Sequence, residues 1–173
     1  RYALLDADLS RLLFDRARSL APEDPDVYVV LHEHVETLEE ARRALETAIS
    51  LDNSHPLAHM RLGELLYRQG EHDQAVELLD RSIHLGADTA DAHRYLGLAL
   101  TALGRLEDAV VALEQAVARA PGDADIHYSF AYVLQRAGRQ SDSTRELRRV
   151  LELNPGHELA ERALAIGNAS NER

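Results

Sequence analysis

His59-Met60-Arg61-Leu62-Gly63, His93-Arg94-Tyr95-Leu96-Gly97 and His127-Tyr128-Ser129-Phe130-Ala131 are one pattern repeated at a step of 34 residues. Each copy is followed seven residues later by a glycine (Gly70, Gly104, Gly138). Five residues further stands a small residue (Ala75, Ala109, Ser143), and four beyond that a leucine (Leu79, Leu113, Leu147). A fixed period with small residues at constant offsets marks stacked helix pairs, in which each repeat buries its apolar face on its neighbours.

The middle copy, Ala90 to Asp123, shows the logic most clearly. Its spacing predicts a first helix from about Thr89 to Leu103, with Leu96, Gly97 and Leu100 on one face. Gly104 supplies the stop, where a left-handed residue costs least. A second helix follows from about Leu106 to Arg119, carrying Ala109, Val110, Leu113, Ala116 and Val117 on its buried stripe. Pro121-Gly122-Asp123 ends it and offers Asp123 as the next N-cap. Gly97 and Ala109 are expected where the paired helices approach, so bulky replacements should cost ~1–3 kcal/mol.

Repeats of this kind occupy 56–89, 90–123 and 124–157, with Pro56 at a helix N1 position. Residues 25–55 form a degenerate repeat, about three residues short between its helices. Its second helix keeps the stripe Ala41, Leu45, Ala48 and Leu51. Residues 1–24 read as a partial repeat, with Leu13, Phe14, Ala17 and Leu20 on a second helix; the chain is expected to open in mid-repeat. Residues 158–173 supply a capping helix from Glu158 to Ile166 and a frayed tail from Gly167. The whole is expected to be a single all-α domain, a right-handed α-solenoid of antiparallel helix pairs.

Composition narrows the function. A formal charge of −11 disfavours nucleic acid and anionic membrane surfaces, both of which ask for a basic face. No apolar run approaches the ~20 residues that cross a bilayer, so no direct membrane insertion is expected. All nineteen cationic side chains are Arg, and Cys is absent. Those absences remove the P-loop and Schiff-base lysines, the cysteine nucleophile and every thiolate metal site. Compartment is open, with the cytoplasm slightly favoured.

These residues resemble the tetratricopeptide repeat family. Leu96, Gly97, Leu100, Gly104, Ala109, Leu113, Ala116 and Pro121 match that motif's offsets, and the likeness covers about residues 9 to 166. The resemblance implies that first helices line a concave groove which holds a protein or peptide partner. Its groove positions fall on Met60, Glu64, Tyr67 and Arg68, then Arg94 and Leu98, then Tyr128, Tyr132 and Arg136. Leu57, Asp91, Thr101, Ala102, Asp125 and Gln135 share those registers. Tyr and Arg are enriched at interface hot spots, and this lining suits a peptide with acidic groups or a free C-terminus. The chaperone-tail clamp of Lys, Asn and Arg known in the family is not matched, because its places hold Met60, Glu64, Tyr95, Asp125 and Ser129. The asparagine ladder of its sugar-transferring relatives is replaced by Arg61, Tyr95 and Ser129.

No metal, cofactor or catalytic site is expected. His59, His93 and His127 share one register, but two helix packings of ~8–10 Å separate successive copies, too far to share one ion. His32 and His34 stand at i, i+2 on different helix faces. His55 and His59 have i, i+4 spacing without a third ligand, and His55 precedes Pro56 at a helix start. The carboxylate pairs Glu39-Glu40 and Asp6/Asp8 lack a buried setting. The expected function is therefore a non-enzymatic interaction scaffold. Two other readings stand beside it: an accessory module of a larger enzyme or secretion machine, and a homo-oligomer in which the apolar face around Leu12, Leu13 and Leu20 accepts a second copy.

Overall fold

Gly104 adopts φ 77°, and Gly70 and Gly138, its equivalents in the flanking copies, adopt 84° and 76°. That left-handed conformation, cheap only for glycine, lets the chain reverse while the last carbonyls of the helix stay bonded. Arg105 N donates to Leu100 O at 2.9 Å and Gly104 N to Thr101 O at 3.1 Å, and the same pair of bonds closes the helices ending at Gln69 and Arg136. The three turns expected from the spacing are therefore present.

The computed structural model describes residues 12, 15–16, 18–35 and 37–171, with backbone only over 168–171. Among the described residues all regular structure is helical. The helices are α1 (Pro25–Leu31), α2 (Leu38–Leu51), α3 (Pro56–Gln69), α4 (His72–His84), α5 (Ala90–Ala102), α6 (Leu106–Arg119), α7 (Ala124–Arg136), α8 (Gln140–Leu153) and α9 (Glu158–Asn171). Residues 12, 15, 16 and 18–20 are helical as well. The chain forms two compact units, 1–87 and 88–173. In the first, α1 packs on α2 and α3 on α4, with α2 against α3. In the second, α5 packs on α6 and α7 on α8, with α6 against α7, α5 against α7, and α9 against α8.

Local sequence explains the helix starts. Thr89 Oγ1 accepts from Ala92 N, and Asp123 Oδ1 accepts from Asp125 N and Ile126 N. Thr37 and Glu40 form a reciprocal capping box on α2. His55, placed at a helix start by Pro56, caps α3: its Nδ1 accepts from Ala58 N at 3.1 Å, so Nε2 carries the proton donated to Asp26 Oδ1 at 2.9 Å. α1 has only seven residues, half the length of α3. The shortfall read between Pro25 and His55 falls on this first helix. At the other end, α9 runs to Asn171 rather than stopping at Gly167, because that glycine is not left-handed and no proline follows. Leu13, Phe14 and Ala17 lie outside the described residues, while Leu12 and Leu20 are exposed.

Close approach holds each helix pair together. A Cβ placed on Gly97 would fall on Leu113 Cδ2 and lie 3.1 Å from Ala109 O; one on Gly63 would lie 2.7 Å from Leu79 Cγ and 3.3 Å from Ala75 O. Leu79, Leu113, Ala75 and Ala109 are all fully buried. The leucine thus fills the space that glycine leaves, and the alanine lets its own backbone reach the partner helix. In the third copy Ala131 replaces the glycine and Ser143 the alanine. The serine hydroxyl, buried at 2% exposure, donates across the pair to Ala131 O at 2.8 Å, so no polar atom is stranded. Ala131, Leu147 and Val150 then meet Ala160 of α9, which covers the end of the second unit.

The repeated histidines join each first helix to the turn before it. His59 Nε2 donates to Asn53 O at 2.9 Å and His127 Nε2 to Pro121 O at 3.1 Å. His93 Nε2 instead meets Asp88 Oδ1 at 2.7 Å. All three are buried. Asp88 also receives Arg119 of α6, whose Nη2 stands 2.6 Å from Oδ1 and whose Nε donates to the Asp88 carbonyl at 3.2 Å. The Arg119 and His93 hydrogen bonds hold the Asp88 carboxyl below the ordinary Asp range. In the first unit Arg42 plays a comparable part, bonding Glu46 at 2.9 Å on its own helix and Glu71 at the start of α4 at 2.6 Å. Among the described residues no group of three or more His, Asp or Glu is placed to hold a metal ion. None of the described helices is long and apolar enough to cross a membrane.

Two outcomes follow. Gly97→Leu should lower stability by ~1–3 kcal/mol by overpacking, or roughly 2–4 °C per kcal/mol in a thermal melt followed by circular dichroism. Gly122→Ala, where nothing lies within 4 Å of a new Cβ, should melt almost as the wild type does. For Asp88, a depressed folded-state pKa means stability present above the unfolded value and lost as pH falls through the folded one. The melting-temperature gap between wild type and Asp88→Asn should be widest near neutrality and close below about pH 4. A gap that stays constant across that range would show that the ion pair contributes nothing.

Candidate functional site

Accessibility along the first helices changes from turn to turn and is set by packing. At the register of Met60, Arg94 and Tyr128, Met60 is buried and the other two are half-buried. One turn on, Glu64 and Leu98 are half-buried while Tyr132 is exposed. Another turn on, Arg68, Ala102 and Arg136 are all exposed. Leu57, Asp91 and Asp125, at the starts of the same helices, are exposed as well, so each of α3, α5 and α7 offers accessible side chains at both ends. Arg68 and Arg136 stand in the last turn of their helices, where the helix dipole favours a cation.

In the second unit this surface is shared by α5 and α7. Arg136 Nη1 donates to Tyr132 Oη at 2.9 Å, and its guanidinium carbon stands 5.9 Å from the ring centroid. The i, i+4 spacing brings the two together on one face. Arg94 on α5 lies over the Tyr95 ring at 4.6 Å and bonds Asp91 Oδ1 at 3.1 Å. Both guanidiniums are thereby held against aromatic rings; the Nε–Nη2 edge of Arg94 already serves Asp91, while Arg136 gives only Nη1 to Tyr132. Tyr128 belongs to the packing beneath: it rests on the cluster of Ala131, Leu147, Val150 and Ala160, with the His157 ring 4.9 Å away. Thr101, in a groove register by sequence, is buried and donates to Gly97 O at 2.7 Å.

In the first unit α3 presents Arg61, Glu64 and Arg68. Glu64 accepts from Arg61 Nη1 at 3.2 Å and from Arg68 Nη2 at 2.7 Å, so one carboxylate is shared by two guanidiniums. These residues line a cavity of about 270 Å3 together with His32, Glu33, Leu38, Ala41 and Leu65. The turn between α1 and α2 contributes His32 and Glu33 to its lining. Tyr67 is half-buried with its ring 5.7 Å from His72.

The structure thus brings Arg94, Leu98, Tyr132 and Arg136 onto neighbouring helices of one unit, and Glu64, Tyr67 and Arg68 onto one helix of the other. It places Met60 in the core of the first unit, at 5% exposure, where it offers packing rather than contact area. Sequence reasoning passed over Arg61, Glu33 and Leu38 as a group. The signal available was the three-residue deficit of the degenerate repeat, but only coordinates show that the deficit opens a cavity beside α3.

A sequence model described as tetratricopeptide repeat matches residues 36–98 and 100–166. No curated protein matches the sequence. Among solved structures the chain is similar to YrrB, described as a TPR protein with an unusual peptide-binding site: TM-score 0.76, 24% identity, 92% of this chain and 84% of that one covered. It is similar to TTC0263, a thermophilic TPR protein in Thermus thermophilus, with TM-score 0.73, 24% identity, and 97% and 93% coverage. Against the hetero-tetramer Cut9-Hcn1 of the APC/C the TM-score is 0.86 at 20% identity, over 96% of this chain but 34% of that one. At these identities the likeness shows the fold.

Proposed function

Because the chain belongs to the tetratricopeptide repeat family, we propose that it is a non-catalytic scaffold which holds a peptide or protein along the exposed ends of its first helices. Stacked helix pairs offer extended recognition surfaces rather than a chemistry, so the site has to carry the argument. The observation that carries it is the exposed Tyr132/Arg136 pair on α7, with half-buried Arg94 nearer the start of neighbouring α5. An exposed tyrosine with a guanidinium fixed against it combines apolar area, a polar handle and a charge at small entropic cost. Such a face favours an extended segment bearing carboxylates. Leu98 supplies apolar contact between these groups, and Glu64, Tyr67 and Arg68 supply the corresponding face of the first unit. Two structural neighbours support the reading by their own descriptions: YrrB has a peptide-binding site, and Cut9 assembles with Hcn1.

The test is selection from a displayed random-peptide library followed by calorimetric titration of the winners. The variant carrying Arg94→Ala, Tyr132→Ala and Arg136→Ala should bind the selected peptides at least about tenfold more weakly. Its helicity and melting temperature should stay near wild type, since none of the three is a core residue. Tyr128 and Met60 are left out because their loss would disturb packing. Equal affinity for wild type and variant would place the binding face elsewhere.

A further inference from the structure

The cavity beside α3 carries an inference that rests on the peptide-binding reading and deepens it. We propose that this cavity is a subsite for an acidic side chain next to an aliphatic one within a bound peptide, and that Glu33 occupies its anion position when no peptide is there.

Three observations lead to this. The first is the origin of the space. α1 ends at Leu31 after seven residues, whereas the other first helices run for thirteen or fourteen. Beside α3 this shorter helix leaves a cavity of about 270 Å3, lined from α3 by Arg61, Glu64, Leu65 and Arg68 and from α2 by Leu38 and Ala41. That is a little below the ~300 Å3 at which small-molecule pockets begin, so it suits one or two side chains better than a cofactor. Leu38, Ala41 and Leu65 give it apolar walls, and Leu38 is 59% exposed at the first position of α2.

The second is the way charge is arranged. Glu64 is only 15% exposed and takes a hydrogen bond from each of the two arginines, so it is fixed and stays. Arg61 then meets a second carboxylate, Glu33, on different terms. Glu33 Oε1 stands 3.5 Å from Arg61 Nη2, and its side chain is 52% exposed. A charge-assisted N–H to carboxylate bond runs at about 2.7–2.9 Å, so Glu33 pairs with Arg61 by charge without closing on it. An exposed, loosely held ion pair contributes little and is readily exchanged. A carboxylate from a partner can bond the planar fork bidentately and gain what Glu33 does not.

The third is what Glu33 itself represents. It is a side-chain carboxylate in a polypeptide running past Arg61, held on the turn after α1. The His32 ring is fixed there by its bond to Val29 O. The occupant already seated is thus a glutamate side chain on passing backbone, and the ligand it stands in for has the same chemistry. The aliphatic neighbour is asked for by Leu38, Ala41 and Leu65.

The experiment uses the full chain and fluorescein-labelled decapeptides of glycine and serine with a central Glu-Leu, acetylated and amidated, read by anisotropy. Gln-Leu and Glu-Ser peptides are the controls, and a Gly-Ser peptide ending in Leu with a free carboxylate tests the terminal source. Glu-Leu should bind at least about tenfold tighter than Gln-Leu, the scale of one charged hydrogen-bonding contact. Arg61→Gln should erase that difference. Glu33→Gln should raise Glu-Leu affinity severalfold, because the competitor is removed while Arg61 remains, and should leave Gln-Leu unchanged. Melting curves of both variants near wild type will show that folding is not the cause. If Glu33→Gln lowers or fails to change the affinity, or Arg61→Gln is without effect, the subsite is overturned. That result, with the α5 and α7 variant still losing library-selected peptides, spares the broader reading; if no peptide of either kind binds, both fall. Preference for the free-carboxylate peptide over Glu-Leu would also overturn the proposal as stated.

Discussion

Everything in this fold depends on how near the two helices of a pair can come. The distance is set by glycine on one helix and alanine on the other, with a leucine folded over the gap: Gly97, Ala109 and Leu113 in the middle copy. Interiors pack like crystals, so a methyl group in the wrong place cannot be absorbed by slack. The cost of glycine within a helix, about 1 kcal/mol relative to alanine, is offset by burying Leu113 completely. The third copy reaches the same end with Ala131 and Ser143, where a hydroxyl bonded across the pair replaces part of the apolar contact. Close pairs make a first helix whose buried side is fully committed to its partner. Only its far side and its two ends are left exposed.

The histidine register shows how polar groups can serve the same purpose. His59, His93 and His127 each reach back to the preceding turn, to Asn53 O, Asp88 and Pro121 O. The turn is thus fixed to the helix that follows it without more apolar area. His127 goes further, because Nδ1 lies 2.7 Å from Glu146 on α8 while Nε2 faces a carbonyl. Both nitrogens therefore face hydrogen-bond acceptors. The Nδ1 atoms of His59 and His93 are buried without a hydrogen-bond partner. One register thus carries two electrostatic designs, and no chemistry beyond structure is required to explain it.

How much of this was legible in the sequence follows from what each feature depends on. Gly97, Gly104 and Asp123 were readable because steric and capping rules act over a few residues, and the 34-residue period repeats them. The membership of the groove was readable only as registers. Arg136 and Tyr132 are exposed as expected, but Met60 is buried and Thr101 bonds Gly97 O, because exposure depends on what the neighbouring helices cover. The cavity was still less accessible. It arises from turns that α1 does not have, and an absence in one helix becomes a site only through the residues of another. Likewise Arg61 read as a departure from a known ladder, while its role is set by Glu33 and Glu64 at 3.5 and 3.2 Å.

Selection of acidic peptides, as proposed above, by a chain with charge −11 looks contradictory, and ranges of interaction resolve it. At physiological ionic strength the screening length is ~8 Å, so a partner outside that distance feels little of the net charge. Inside it, the groups that matter are those it touches. On α5 and α7 these are guanidiniums held against tyrosines; in the cavity they are Arg61 and Arg68 around a half-buried glutamate. The surrounding carboxylates then act as a filter. They weaken contact with any acidic segment whose carboxylates miss the guanidiniums, and they leave one with matched spacing comparatively unaffected. Discrimination of this kind needs repulsion as well as attraction. In the proposed subsite Glu33 is its smallest unit, a carboxylate paired with Arg61 at 3.5 Å that a better-fitting one would displace.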